Sequence, residues 1–321
     1  MKATARAYSI QGLIKYHGLK IPKLRIPYHD SISVCMAALP TITTVEFGPQ
    51  YHSDVVRLDG REPNPTELRR IILVMNTLRR AGKESLHARI ESRNPPVKGK
   101  GLGYSASGFA ALGLAASRAL GLKMDSRKLS QIVRLGAGSA ARSLVGGFSI
   151  LYASKNGLSY AEQLASPESV KLSTVIVPIP AAIKTDRAHE DVLKSPFFQT
   201  RLNYLPSRLA KMKRALNGKD ALEVSRLAEE DTLNLHAMTM TGRRGLVLFS
   251  PLSITIINEV RRLRQEDEVP VWFSLDTGPS VFVNTTPEAL PTVKRTLSRV
   301  TDDIVISSPG GEAQVLDKGL F

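Results

Sequence analysis

Two long stretches near the start of the chain, residues 3–14 and 31–47, are rich in apolar and β-branched residues. At the end of the second stretch the β-branched residues alternate with others, which is the two-residue period of a strand. Pro22 and Pro27 interrupt the segment between the two stretches, so we expect an extended loop without regular pairing over residues 20–27. The pattern predicts that strands come first in this chain.

A helical period begins at residue 65 and predicts an amphipathic helix over residues 65–80, with arginines available for its solvent side. A short strand over 86–92 follows, then an Ala- and Leu-rich helix over 109–120 and a strand over 148–152. Further along, the patterns predict strands over 175–179, 271–275 and 281–284, and helices over 206–216, 219–237, 253–265 and 290–300. The composition changes near residues 155–172, so we divide the chain into domains 1–165 and 166–321.

The composition of the 321 residues is close to the globular average, with 42% hydrophobic and 23% charged residues. The single cysteine, Cys35, excludes an intramolecular disulfide and a cysteine-based zinc site, and we expect it to be a small buried hydrophobe. No apolar run reaches the roughly 18 residues that span a bilayer, and the N-terminus lacks a secretory apolar core. We therefore expect a cytoplasmic protein that does not enter a membrane.

The charge is unusual, because 44 Lys+Arg against 29 Asp+Glu leave a net charge of +15. Such an excess attracts polyanions, including nucleic acid, anionic membranes and phosphorylated metabolites. The basic residues cluster at 20–25, 69–80, 201–214 and 261–264 rather than in one tract, and the aromatic content of 6% offers few stacking platforms for single strands. Any one cluster could equally be a solvated cationic face.

The glycine-rich segment 99–108 has the ingredients of an anion site. Glycines let backbone N–H groups approach a ligand, Ser105 and Ser107 add hydroxyl donors, and the following helix would point its positive end at the same place. Neither the Walker pattern nor the dinucleotide-binding fingerprint fits this segment. Close helix packing without a ligand would produce the same glycines.

Three charged residues sit at positions where a ligand could be bound. Arg142 follows small residues that permit close approach, and its guanidinium suits a carboxylate or phosphate, although a structural ion pair is the alternative. Asp276 follows a predicted strand and would lie at a cleft or simply stabilise a turn. Lys15 ends an early strand and would bind a substrate or extend its amine to solvent. His17, His29 and His236 lack metal-ligand spacing, so we expect ordinary core or surface roles for them and no metal.

Several blocks, in this order, resemble the GHMP superfamily, and within it the mevalonate diphosphate decarboxylase branch, over nearly the whole chain. The blocks are Gly12-Leu-Ile-Lys-Tyr-His-Gly18, Pro27-Tyr-His-Asp-Ser-Ile-Ser33, Thr43-Thr-Val-Glu-Phe47, Gly101-Leu-Gly-Tyr-Ser-Ala-Ser-Gly-Phe-Ala-Ala-Leu112, Gly136-Ala-Gly-Ser-Ala-Ala-Arg-Ser-Leu-Val-Gly-Gly-Phe148, Glu230-Asp-Thr-Leu-Asn-Leu-His-Ala237 and Leu275-Asp-Thr-Gly-Pro279. The resemblance implies an α/β (α+β) GHMP fold. Its N-terminal half would be ribosomal protein S5 domain 2-like and its C-terminal half ferredoxin-like, with the site between them.

The resemblance also implies an activity and roles for residues. Family members phosphorylate the 3-hydroxyl of a mevalonate phosphate with ATP and then expel that phosphate together with CO₂. Asp276 matches the catalytic aspartate, Arg142 the carboxylate-binding arginine and Lys15 the strand-end lysine. The remaining matches are Tyr16 and Ser139 at substrate-contacting positions, Ser105 and Ser107 in the phosphate loop, and Arg187 near the entry to the C-terminal domain.

The departures from the family concern the phosphates. Tyr104 replaces the first serine of the phosphate loop, and a ring there could obstruct a nucleotide. Leu19 stands where a lysine usually meets the terminal diphosphate, which argues for a substrate with a 5-monophosphate. Ala137 replaces the second serine of the catalytic loop, and Asp186 replaces the serine before Arg187.

These departures favour a branch of the family that acts without ATP. It eliminates the 3-phosphate and CO₂ from mevalonate 3,5-bisphosphate to yield isopentenyl phosphate, so our leading hypothesis needs no cofactor. An ATP-dependent phosphomevalonate or diphosphomevalonate decarboxylase, which would use ATP and Mg²⁺, is the alternative. A mevalonate 3-kinase is disfavoured because the Asp276 block is retained.

A basic nucleic-acid-binding protein on the same N-terminal fold is a third hypothesis. An acidic Asp276 that shares a concavity with Arg142 would repel a polynucleotide, so we expect a small phosphorylated substrate and no nucleic acid. A homodimer is possible.

Overall fold

Both strands and helices occur in each half of the part of the chain that the computed structural model describes, residues 1–181 and 185–321 without the side chains of 185–187. The strands are β1 Lys2–Ile14, β2 Leu19–Ile21, β3 Ile26–Pro27, β4 Ser31–Phe47, β5 Val55–Leu58, β6 Ala88–Arg93, β7 Phe148–Leu151, β8 Ala161–Ala165, β9 Ser173–Val177, β10 Val271–Ser274, β11 Val281–Thr285, β12 Val305–Ser307 and β13 Gln314–Leu316. The helices are α1 Pro65–Gly82, α2 Tyr104–Ala119, α3 Ser126–Gly136, α4 Ala140–Val145, α5 Thr185–Asp191, α6 Phe198–Asn217, α7 Ala221–Met240, α8 Pro251–Gln265 and α9 Leu290–Leu297. The α/β class predicted from the sequence is confirmed.

A seven-stranded sheet forms the N-terminal half, in the order β13-β1-β4-β6-β5, with β7 pairing to β4 and β8 to β7. Besides β1, the long strand β4 pairs with two further strands: its first residues pair with β7 and its last residues with β6. The pairing is antiparallel except between β5 and β6. The two long apolar stretches of the sequence are therefore the centre of this sheet, as β1 and β4.

Helices α1, α2 and α3 cover one face of the first sheet. Alanines on α2 pack against alanines on β1, and these small side chains let the helix lie close to the strand. Helix α1 begins as its sequence predicts, with a capping box in which Asn64 accepts from the Glu67 N–H and the Glu67 carboxylate accepts from the Asn64 N–H.

A four-stranded antiparallel sheet, in the order β10-β11-β9-β12, forms the core of the C-terminal half. Helices α8 and α9 pack on one of its faces through Ile256, Val260 and Val293. On the other side, Phe282 joins a cluster with Leu13 of β1, Ile32 of β4 and buried residues of α6 and α7. Apolar packing therefore holds the two halves together and determines where their strand ends meet.

Two predictions for segments that contain prolines are wrong, the loop over residues 20–27 and the start of the helix at residue 206. Residues 20–27 do pair, as the short hairpin of β2 and β3, because Pro22 starts a 3₁₀ turn and Pro27 lies at the strand end, where a missing N–H costs little. Helix α6 starts at Phe198 rather than at Pro206, so the proline lies inside it. The extra turns before Pro206 bury Leu205, and the apolar burial offsets the lost hydrogen bond; they also carry Arg201 to its partner Asp231.

The domain boundary near residue 165 stays a prediction, and the last strand of the chain pairs with a strand on the other side of that boundary. Residues 314–316 belong to the predicted second domain, yet β13 pairs with β1 at the edge of the first sheet.

Cys35 is a buried free thiol in the first sheet, as predicted, and burial raises its pKa to about 12. Within the described residues, no helix has both the length and the apolar character that a membrane span requires.

The loop before α2 connects the two halves through its backbone. The N–H of Lys100 donates to the carbonyl of Ile179 at 2.9 Å, and the N–H of Ser280 donates to the carbonyl of Lys100 at 3.2 Å. Gly278 faces this loop so closely that a Cβ atom there would lie 2.5 Å from the Lys100 carbonyl oxygen. The atoms in the way are backbone atoms, which cannot rotate aside.

We predict that Gly278→Ala lowers the free energy of unfolding by about 2 kcal/mol, because the added methyl group must push the two halves apart. Denaturant unfolding followed by circular dichroism measures the change. Gly311→Ala is the matched control, since nothing lies within 4 Å of a Cβ atom at Gly311. Equal stability of the Gly278 variant and the wild type would mean that this contact does not hold the halves together.

Candidate active site

Asp276 lies where the two halves meet. It follows β10 in the second sheet, and its two carboxylate oxygens accept the N–H of Gly12 in β1 at 3.2 and 3.1 Å. A Cβ atom on Gly12 would lie 2.8 Å from the Asp276 carboxylate, so a residue with a side chain could not allow this approach. The aspartate therefore lies at the junction of the two halves, with its carboxylate bonded across that junction rather than only within its own turn.

Lys15 lies beside Asp276 with only 4% of its surface exposed. Its Nζ donates to Thr232 Oγ1 at 2.9 Å, to Ser274 Oγ at 3.0 Å and to the Ala228 carbonyl at 3.4 Å. The amine therefore points into the protein and does not extend to solvent, which decides between the two roles left open by the sequence. Burial lowers the pKa of Lys15, and the carboxylates of Asp231 and Asp276 oppose that shift.

A buried ion pair holds the backbone of Lys15 on both sides. Asp231 accepts from the Lys15 N–H at 2.8 Å, and Arg201 donates to the Lys15 carbonyl at 2.7 Å. Arg201 and Asp231 also bond to each other at 2.8 Å, and each side chain is 1% exposed. The sequence analysis missed both residues. Asp231 lies in the family-like block 230–237, which was the available signal, whereas Arg201 lay only in a basic cluster.

Arg142 is a buried cation whose hydrogen-bonding capacity is incompletely used. It lies on the short helix α4, 3% exposed, with its guanidinium 5.6 Å from the centre of the Tyr16 ring. Its Nε and Nη1 have no hydrogen-bond partner in the described part of the chain. Burial lowers its pKa, and Tyr16 and Asp276 oppose the shift. A buried guanidinium with unused donors can bind a ligand carboxylate in its plane.

Tyr16 and Ser139 lie beside Arg142, and their predicted contact with a substrate stays a prediction. Tyr16 is buried, with its hydroxyl directed at Gly138, where a Cβ atom would lie 2.1 Å away. Ser139 precedes α4, and its side chain forms no capping hydrogen bond to that helix. Glycine at 138 therefore makes room for the tyrosine next to the serine and the arginine.

Two histidines lie at the site: His17, for which the sequence analysis expected an ordinary core or surface role, and His189, which it did not consider. The Nε2 of His17 lies 2.8 Å from the hydroxyl of Thr277, next to Asp276. The His189 ring stacks on Tyr16 and meets the edge of His17. Burial first, and then the neighbouring His189, lower the pKa of His17 well below its usual value. His17 is therefore neutral near pH 7 and serves as a hydrogen-bonding partner.

The two serines of the glycine-rich loop face different surroundings. Ser105 is exposed at the start of α2, where helix N–H groups point outward. Ser107 is fully buried, and its hydroxyl lies 2.6 Å from that of Thr41 in the first sheet. Of these two predicted phosphate-loop residues, the structure places only Ser105 where a ligand can reach it.

Tyr104 lies against its own loop. Its hydroxyl donates to the carbonyl of Val97 at 3.0 Å, and burial raises its pKa. The tyrosine forms one wall of a cavity of about 220 Å³ that opens beside α2. Ser105, Gly108 and Asn94 line the same cavity. The ring therefore borders an open space next to the loop rather than filling it.

The remaining predicted site residues are less central. Leu19 begins β2 in the hairpin that follows the site. The side chain of Arg187 lies outside the described residues, so its role stays a prediction. Among the described residues, no group of three histidine, cysteine or acidic side chains could hold a metal ion.

The α/β fold is of the GHMP type, and comparison with known proteins identifies the family and its activity. A model described as a diphosphomevalonate decarboxylase-like N-terminal domain matches residues 7–161, and one described as a mevalonate 5-diphosphate decarboxylase C-terminal domain matches residues 185–308. A phosphomevalonate decarboxylase from Haloferax volcanii is 40% identical over 99% of this chain and 98% of its own length. The chain therefore belongs to the diphosphomevalonate decarboxylase family and is a carboxy-lyase.

Solved structures agree with this assignment. A mevalonate diphosphate decarboxylase from Enterococcus faecalis is similar with a TM-score of 0.91 and 28% identity, covering 99% of both chains. A structure described as MDDEF in complex with MVAPP, AMPPCP and magnesium is similar with a TM-score of 0.92, at 28% identity and 99% coverage of both chains. The enzyme from Staphylococcus aureus is similar with a TM-score of 0.90 at 29% identity, covering 98% of both chains. The predicted GHMP fold is confirmed.

We predict that Thr232→Val lowers kcat of the decarboxylation roughly tenfold or more, because the valine keeps the shape but removes the nearest acceptor of the Lys15 amine. Turnover is followed by release of CO₂. Thr232→Ser is the control, since it keeps the hydroxyl and should retain most of the activity. Equal rates for the two variants would show that this hydrogen bond does not position Lys15 for catalysis.

Proposed function

We propose that this carboxy-lyase acts on mevalonate that carries one phosphate at position 5, and releases CO₂ and a 3-phosphate to leave isopentenyl phosphate. The observation that carries this proposal is the grouping of one carboxylate and two buried cations between the halves. Asp276 and Lys15 both approach Gly12, and Arg142 is near enough to act on the pKa of Asp276. A small substrate with a carboxylate and a leaving phosphate matches these charges.

The proposed step breaks two bonds of the substrate. The bond from the tertiary carbon to the 3-phosphate oxygen breaks with its electron pair on the phosphate, so positive charge develops on the carbon. The carbon–carboxylate bond then supplies the electrons of the new double bond, and CO₂ leaves. Asp276 would stabilise the developing positive charge, while Arg142 orients the substrate carboxylate and Lys15 neutralises the departing phosphate.

The choice of a 5-monophosphate rests on Leu19. A leucine offers no charge to a terminal phosphate where the family resemblance implies a lysine, and the adjacent Lys20 is exposed in the hairpin. The Haloferax relative, at 40% identity, is named for phosphomevalonate rather than diphosphomevalonate, which supports the same choice.

We propose that ATP supplies the 3-phosphate in this enzyme. The cavity beside α2 gives space next to the exposed hydroxyl of Ser105, and Tyr104 is held back on Val97. A similar structure contains AMPPCP and magnesium. The helix N-terminus and Ser105 would hold nucleotide phosphates. Since the described residues contain no carboxylate cluster for a metal, Mg²⁺ would arrive with the nucleotide.

The second candidate is the ATP-independent reaction, in which mevalonate 3,5-bisphosphate arrives with the 3-phosphate in place. The observation that favours it is that much of the loop is occupied by the protein itself. The Lys100 N–H is bonded to Ile179, the Ser107 hydroxyl lies on Thr41, and a tyrosine replaces a serine at 104. This route needs no cofactor and would use Asp276, Arg142 and Lys15 in the same way.

Two incubations separate the candidates. The protein is supplied with mevalonate 5-phosphate plus ATP and Mg²⁺, and separately with mevalonate 3,5-bisphosphate alone, and CO₂ is measured. We expect turnover of the monophosphate to require ATP. Turnover of the bisphosphate with no turnover of the monophosphate would select the ATP-independent reaction, and no CO₂ from either substrate would reject both.

We predict that the decarboxylation rate falls on acidification at a higher pH than an ordinary aspartate, with a pKa of about 3.9, would produce. Burial raises the pKa of Asp276 despite the opposing effect of Lys15 and the Gly12 N–H. Because the carboxylate is the active form, protonation stops the reaction as the pH falls through that raised pKa. The pH dependence of kcat measures it.

Asp276→Asn is the control for this pH profile, because the amide keeps the shape but neither titrates nor carries charge. It should abolish CO₂ release at every pH while substrate binding stays measurable. Near-normal turnover of this variant would remove Asp276 from the mechanism. The cytoplasmic location, the homodimer and the absence of a nucleic-acid partner stay predictions.

A further inference from the structure

One buried hydroxyl beside the candidate active site has no partner and no role in the mechanism proposed above. Ser33 is the third residue of β4 and is fully buried. Its Oγ forms no hydrogen bond within the part of the chain that the structure describes. A buried hydroxyl without a partner destabilises the folded protein, so a serine at such a position is available to a bound ligand.

The register of the first sheet determines which face Ser33 occupies. Ser33 pairs with Gly12 of β1 on one side and with Ser149 of β7 on the other. Residues directly opposite one another in antiparallel strands share a face, with Cβ atoms about 4.5–5.5 Å apart. Val34, the next residue of β4, lies on the other face, in the apolar cluster that joins the halves. Gly12, Ser33 and Ser149 therefore form one row across three strands.

The two ends of this row contact the two charged residues that the proposed mechanism places on the substrate. At one end, a Cβ atom on Gly12 would lie 2.8 Å from a carboxylate oxygen of Asp276. At the other end, the hydroxyl of Ser149 donates to the carbonyl of Arg142 at 3.2 Å. Ser33 is the middle member of the row, so it lies between the Asp276 contact and the Arg142 contact.

The guanidinium of Arg142 approaches the same face of the sheet from α4. Cys35 lies two residues after Ser33 and so on the same face. Burial raises the pKa of Cys35, and the nearby charge of Arg142 opposes that rise. The Nε and Nη1 of Arg142 have no hydrogen-bond partner among the described residues. Unused donors of the arginine and the serine are therefore located on one side of the sheet, next to Asp276.

We propose that Ser33 is a further substrate-binding residue, whose hydroxyl donates a hydrogen bond to the substrate carboxylate; this rests on the carboxylate-binding role proposed above for Arg142. A carboxylate accepts more hydrogen bonds than one edge of a guanidinium donates, and a third donor fixes its plane. The bond from the tertiary carbon to the carboxylate must be aligned with the departing 3-phosphate, so that its electrons form the double bond. Ser33 holds the carboxylate in that orientation.

Ser33→Ala tests this role, because it removes one hydroxyl and adds no volume. We expect kcat/KM for CO₂ release to fall roughly tenfold or more, through loss of a hydrogen bond to a charged group. The unfolding temperature of the ligand-free protein should stay equal or rise, since an unpaired buried polar group is removed. Normal kcat/KM, or a lower unfolding temperature together with lost activity, would overturn the proposal.

Ser9→Ala is the matched control. Ser9 is equally buried and its hydroxyl also has no partner among the described residues. Its sequence neighbours Tyr8 and Ile10 pack with Cys35, so Ser9 lies on the opposite face of the sheet. We expect kcat/KM of this variant to stay within about twofold of wild type. An equal loss in both variants would attribute the effect to packing in the sheet and overturn the proposal.

A substrate analogue identifies the group that Ser33 contacts. The analogue is mevalonate 5-phosphate whose carboxylate is reduced to a primary alcohol, and calorimetry measures the binding of both compounds. We expect Ser33→Ala to weaken binding of mevalonate 5-phosphate roughly tenfold and to change binding of the alcohol by less than about twofold. Equal weakening of both would place the contact elsewhere on the substrate and overturn the proposal.

Failure of the proposed function would give a different result. CO₂ release is measured with whichever of mevalonate 5-phosphate plus ATP or mevalonate 3,5-bisphosphate the wild type turns over, so Ser33→Ala is tested under either reaction. Release from neither by the wild type would reject the proposed function and the role of Ser33 together. Equal release by wild type and Ser33→Ala would reject the role of Ser33 alone.

Discussion

One hydrogen-bonded contact determines the geometry of the active site: the Asp276 carboxylate on the backbone N–H of Gly12. Asp276 follows a strand of the second sheet and the N–H belongs to the first sheet, so the junction of the halves places this carboxylate. The contact requires that residue 12 has no side chain. Any change that separates the halves moves the carboxylate away from Lys15, whose stem also packs at Gly12.

The buried charges around this contact position the backbone of Lys15 more than they stabilise the fold. Removing Arg201 and Asp231 from water is costly, and replacing a buried ion pair with apolar residues is often neutral or stabilising. Here both members also bond to the main chain of Lys15, which no apolar pair could do. The pair therefore fixes the backbone at the end of β1, where Lys15 lies beside Asp276.

The cationic side chains of the protein act differently at buried and at exposed positions. Arg142 and Lys15 are buried, so desolvation strengthens their interaction with a bound anion and lowers their own pKa values. Lys23 and Arg69, by contrast, are exposed at the surface, where water and salt screen their charges. The cationic residues behind the net charge of +15 are therefore not equivalent, because a buried cation interacts with an anion more strongly than an exposed one.

The sequence by itself determined the class of fold, the order of the long strands and helices, the family, and the residues Asp276, Arg142 and Lys15. These features are local, because strand and helix periods, small residues and short blocks can be read along the chain. It did not reveal the pairing of β13 with β1, the start of α6 before Pro206, or the roles of Arg201 and His17. Only the tertiary structure decided these, since each depends on residues far apart in sequence. The two serines at 105 and 107 show the physical reason: they are two positions apart on one helix, yet one faces solvent and the other is buried against Thr41 of a distant strand.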